Sequence, residues 1–193
     1  RYILIFLLLM FLSACGHSIR IPDPAPSAIR IYKSVRLPAG TARMKPTGVI
    51  LGKNERYTIM ATGSIDFCPN GRCKWRDVRP EMGWPLMTRV GDSHYLAPLL
   101  SGTNSATWKT RSNSGELFVG YKLGQVDSQG EPKNPSRYEH DAGAFYVNII
   151  VWNTGDWARI ADALAALVRQ NPENKPLSYA LTQAERFRDI ETA

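Results

Sequence analysis

Three cysteines, three histidines and a scatter of carboxylates carry whatever chemistry this chain can do. None falls into an enzymatic pattern: there is no Gly-x-Ser-x-Gly turn, no His-Glu-x-x-His helix and no phosphate-cradling glycine loop with its lysine. With His17 in a linker, only His94 and His140 remain for acid–base work, and catalysis is not expected. What the chain offers instead is polar residues at turns. In "RYEHDAG", His140 and Asp141 precede Gly143, and in "GDSH" Asp92 stands two residues from His94. Such groups fix ligand hydroxyls, while Tyr138 and Trp84 nearby in sequence offer flat faces for stacking. Each also has an ordinary role, as a hydrogen-bonded turn before a strand or as core. A third feature is the basic run "RCKWRDVR", with Arg72, Lys74, Arg76 and Arg79 around Trp75. It suits contact with a phosphate-rich glycolipid, or it is a solvated basic face.

The cysteines speak to location. Tyr2 to Leu12 is an unbroken apolar run of eleven residues. That is the length of a signal-peptide core and too short to cross a bilayer core of about 30 Å. "LSAC" follows, and it resembles a bacterial lipobox, which makes Cys15 the expected site of lipidation and residues 1–14 a cleaved signal peptide. No Asp follows Cys15, and in Gram-negative bacteria that implies the outer membrane. Cys68 and Cys73 flank the turn "PNGR", so a disulfide is expected in an oxidising envelope, with a redox or zinc pair as the alternative. Without residues 1–14 the chain holds 23 Lys and Arg against 17 Asp and Glu. Outside the cytoplasm this charge points to anionic lipid head groups, lipopolysaccharide or acidic glycans rather than nucleic acid.

The elements that must position these residues are mainly strands. Residues 15–35, with prolines at 22, 24 and 26, read as a tether. From 36 to 152, short apolar runs alternate with turn signals: "GVIL", "RYTIMATGSI", "WPLMTRV", "HYLAPLL", "ATWKTR", "GELFVGYKL" and "GAFYVNIIVW". Six to eight strands with no helix between them predict an antiparallel β-sandwich or jelly roll. The loop 124–143 is long, as functional loops often are. After Trp152 the period becomes helical. Trp157, Ile160, Ala161, Leu164, Leu167 and Val168 share one face, with Thr154 or Asp156 as N-cap, and a second helix from about Pro176 has Leu177, Ala180, Leu181, Ala184 and Phe187 on one face. Residues 153–193 are thus expected to be a helical hairpin.

The β region also resembles a known family. "RLPAGTARMKPTGVILGKNERYTIMATGSI" (36–65), "WPLMTRVG" (84–91), "SGELFVGYKLG" (114–124) and "DAGAFYVNI" (141–149) are similar, in order, to the strands of PA-I-type galactophilic lectins. The resemblance implies a galactose-binding-like jelly roll and a Ca²⁺ ion that ligates sugar hydroxyls. Of the family's calcium donors, one position falls at Leu123 or Gly124, which have no carboxylate. The other pair falls at His140 and Asp141. Asp141 is therefore the one candidate metal ligand. A sugar site would use Asp141, His140, His94 and Asp92 as polar fixers, with Tyr138 or Trp84 for stacking. The expectation is a non-catalytic, lipid-anchored binding protein for carbohydrate or glycolipid. The alternative is a degenerate lectin fold that docks another envelope protein.

Overall fold

The computed structural model describes residues 18–71, 76–82, 86–96 and 103–193. The signal peptide, Cys15, His17, Arg72, Cys73, Lys74, Trp75 and Trp84 lie outside these residues, as does most of "HYLAPLL".

Among the described residues, seven strands form two antiparallel sheets. They are β1 (Ile29–Pro38), β2 (Lys45–Leu51), β3 (Arg56–Asp66), β4 (Leu86–Val90), β5 (Ser105–Lys109), β6 (Gly115–Tyr121) and β7 (Ala142–Trp152). One sheet runs β1-β7-β3-β5 and the other β2-β6-β4. Two helices follow, α1 (Trp157–Gln170) and α2 (Lys175–Thr192). The fold is a β-sandwich with a C-terminal helical pair.

The alternation of side chains explains the layering. Ile59, Ala61, Val147, Ile149 and Val151 point between the sheets and pack with Leu86, Leu117 and Val119. Met60, Ile150 and Trp152 point the other way, onto Trp157, Ile160, Leu164 and Leu177 of the helices. β3 and β7 are thus buried on both faces, which is why their text is nearly continuous in apolar residues. Asp156 caps α1, its carboxylate accepting from Ala158 N (2.8 Å), and Asn174 caps α2 through Leu177 N (3.1 Å).

Of the expected tether 15–35, the described residues from 18 onward pack on the sandwich and the helical pair. β1 begins at Ile29 and pairs with β7 along its length, so residues 29–35 belong to the sandwich. Ahead of it, Ile19 and Ala28 are buried beneath the helical pair. Arg20 N–H donates to Asn171 Oδ1 (2.8 Å), and Asn171 Nδ2 donates back to the Arg20 carbonyl (2.9 Å). The prolines mark an extended strap, but its Ile and Ala side chains have an apolar face to bury, and that holds the strap down. "HYLAPLL" contributes only a bridge from Leu96 to Thr88 among its described residues.

Candidate functional site

The predicted polar residues fall at two separate places. The first is where β3 ends, β6 ends and β7 begins. Gly143, at φ +95°, passes close to the Ser64 carbonyl and turns the chain into β7. Asp141, just before it, accepts a hydrogen bond at Oδ2 from the Tyr121 hydroxyl (2.8 Å). Tyr121 in turn accepts from Gly40 N–H (3.0 Å). Tyr138 is buried, packs its ring 5.2 Å from that of Tyr121, and accepts from Leu123 N–H (2.8 Å). It is therefore core and not the stacking face expected of it. His140 is exposed.

This surrounding raises the Asp141 pKa above the ordinary carboxylate value. Burial is the main cause, opposed by the Tyr121 hydrogen bond; the Asp66 carboxylate adds to the rise and His140 opposes it. The Asp141 Oδ1 is buried with no hydrogen-bond partner. A raised folded pKa means that the contribution to stability is complete below the unfolded pKa and is lost as pH rises through the folded value. At neutral pH the carboxylate is thus a cost. Asp141→Asn, which keeps an oxygen for Tyr121, is expected to be more resistant to denaturant than the parent at pH 7. The gain is on the order of 1 kcal/mol after discounting for partial solvation, and it should vanish below the ordinary carboxylate range. Equal midpoints at both pH values would refute the assignment.

The same geometry does not fit calcium. The ion needs six to eight oxygens, with carboxylates foremost. Here one Asp141 oxygen is engaged by a phenol and the other is enclosed. Among the described residues, no three His, Cys, Asp or Glu come together in a metal-binding group.

The second place lies toward the opposite end of the sandwich, because β3 pairs Asp66 with Ala142 at one end and Arg56 with Lys109 at the other. There the open edges of β4 and β5 leave a cleft of about 920 Å³. Tyr57 and Trp108 form its aromatic walls, Leu96 adds apolar surface, and Asp92, His94 and Asn113 stand at its rim. Asp92 and His94 are exposed, and the turn that carries them is tied down: Tyr95 N–H donates to the Ser128 carbonyl (3.0 Å), and Gln129 Nε2 to the Asp92 carbonyl (3.3 Å). Burial pushes the Tyr57 phenol up to about 12, so it stays a neutral donor at physiological pH. Thr88 faces it from the wall, its hydroxyl buried without a well-aligned hydrogen bond. The structure thus brings Asp92 and His94 together with each other and separates them from Asp141, His140 and Tyr138. Sequence reasoning missed Tyr57 and Trp108. They are register partners across β3 and β5, a signal visible only once the pairing of those strands is known.

Of the basic run, Arg76 reaches Asp66 (3.6 Å) and Arg79 reaches Asp77 (2.8 Å). Both described arginines are spent on local carboxylates, so their net field is weaker than their number suggests.

No family model matches the chain, and no curated protein does. A solved chain described as "EclA N-terminal domain; PllA-like lectin" is similar with a TM-score of 0.47 and 21% identity, covering 62% of this chain and 95% of that one.

Proposed function

We propose that this chain is a non-catalytic bacterial envelope lipoprotein that binds carbohydrate in the cleft between β4 and β5. The pairing of Trp108 with a polar rim carries this reading. A sugar ring presents C–H groups on its faces and hydroxyls around its edge. An aromatic wall takes the first by apolar contact, and Asp92, His94 and Asn113 exchange hydrogen bonds with the second. Cys15 is the acylated anchor, and the outer membrane the destination. Cys68 and Cys73 form a disulfide in this reading, supported by the Gly71 N–H that donates to the Cys68 carbonyl (3.0 Å) and folds the chain back after Cys68.

A glycan array probed with and without EDTA tests the cleft. The parent chain is expected to bind, with a signal indifferent to EDTA because the calcium donors do not fit. Trp108→Ala should weaken binding at least about tenfold by removing the aromatic contact, with its fold checked by circular dichroism. No glycan signal under either condition sinks the proposal. That outcome would favour the second reading, a protein-docking role, which rests on the exposed Tyr179, Phe187 and Ile190 of α2.

A further inference from the structure

A second, open cleft of about 600 Å³ lies on the other side of the larger sheet, bordered by the strap at Ser18 and Arg20, the end of β3, and the turn between α1 and α2. Its charges are mixed. Arg20 and Lys175 supply two cations and Glu81 and Glu173 two carboxylates, yet among the described residues these four form no ion pair with one another. Arg79 adds a third cation at the wall, held by Asp77. Asn104 also lines the cavity. It is 8% exposed, its backbone carbonyl accepts from Ala61 N–H (2.8 Å), and its side-chain Oδ1 accepts nothing. The α2 N-terminus contributes no free donor, since Asn174 caps it and Pro176 has no N–H. A simple anion is therefore a poor match, because two carboxylates would repel it and the helix end would not hold it. A neutral sugar would leave the cations and carboxylates unbridged.

We propose that this cavity takes a zwitterionic phosphate–ammonium group, that of a phosphoethanolamine lipid head group. The phosphate sits between Arg20 and Lys175, with Arg79 behind them, where charge-assisted hydrogen bonds are strongest. The ammonium turns to Glu81 and Glu173, with the Asn104 side-chain Oδ1 as a further acceptor. The location supports a membrane source. Ser18 lines the cavity and stands three residues after Cys15 in the sequence, the residue whose acylation is proposed above. In choosing the lipid over the free compound, the proposal rests on the anchoring of Cys15.

Calorimetric titration of the full chain with phosphoethanolamine, inorganic phosphate and ethanolamine tests the chemistry. Phosphoethanolamine is expected to bind at least about tenfold more tightly than either half alone, a difference of about 1.4 kcal/mol. Arg20→Ala with Lys175→Ala should abolish that binding. Glu81→Gln with Glu173→Gln should lower phosphoethanolamine affinity to that of phosphate. Phosphate binding as tightly as phosphoethanolamine, or double variants indistinguishable from the parent, would overturn the site. The source is tested with the Cys15→Ser chain on phosphatidylethanolamine and phosphatidylglycerol vesicles. Recruitment by the first that is lost in the Arg20/Lys175 variant supports the lipid. Binding of the free compound without such recruitment overturns the membrane source. Native chain that fractionates as soluble protein refutes the anchor and leaves the titration result standing.

Discussion

Trp152→Ala is expected to lower the unfolding free energy by about 3–5 kcal/mol, the cost of emptying a large buried aromatic site. Trp152 ends β7 and is 1% exposed, between the sheet and Trp157 and Ile160 of α1. Its indole N–H donates to Thr58 Oγ1 (2.8 Å), which is itself 2.7 Å from Thr107 Oγ1. The residue thus joins three strands and the helical pair at a single point. Trp152→Phe separates the two contributions: it keeps most of the volume and loses the hydrogen bond, so about 1 kcal/mol should go. Denaturant midpoints of the three proteins measure both. If the alanine variant loses no more than the phenylalanine variant, the helical pair does not depend on this contact.

Gly143→Ala is the second. At φ +95° an L side chain is strained, and a Cβ there would run into the Ser64 carbonyl opposite. Strain of this kind costs about 1–3 kcal/mol before any clash is added, so a loss of at least about 2 kcal/mol is expected. Gly155→Ala is the control, since its Cβ meets only the Arg56 guanidinium at an ordinary 3.7 Å. The variant should also disturb the Asp141–Tyr121 hydrogen bond two residues upstream, and the pH dependence described above would then flatten. Equal stability of the two alanine variants would mean that the turn into β7 relaxes freely.

The β text was legible because its periods are simple. "RYTIMATGSI" and "GAFYVNIIVW" are strands where the alternation puts them, and the change to helical spacing after Trp152 marks α1 with its Asp156 cap. The strap reads as a tether because three prolines dominate it, while the reason it is held, the burial of Ile19 and Ala28, lies in helices that begin only at Trp157. The site was less legible still. Tyr138 sits in a polar, turn-rich loop, yet its ring fills the space beside Tyr121. Asp141 was correctly placed at the start of β7, but its partner is a phenol on another sheet. Asp92 and His94 advertise themselves as a polar turn, whereas the aromatic wall they face depends on the pairing of β3 with β5. Local chemistry is written in neighbouring residues; a cleft between sheets is written in register.

The clasp between Arg20 and Asn171 also decides how the molecule answers force. A pull on the chain ahead of Ser18 meets two ties, the Ile19 N–H donated to the Tyr32 hydroxyl of β1 (2.7 Å) and the clasp at Arg20. The clasp loads the two hydrogen bonds to Asn171, whose amide also donates to the Leu167 carbonyl (2.8 Å), and so passes part of the tension into the helical pair. Both ties stand ahead of the Ile29 end of the long β1–β7 ladder. The strap is a sacrificial link: it gives way under load and adds slack before the sandwich is strained.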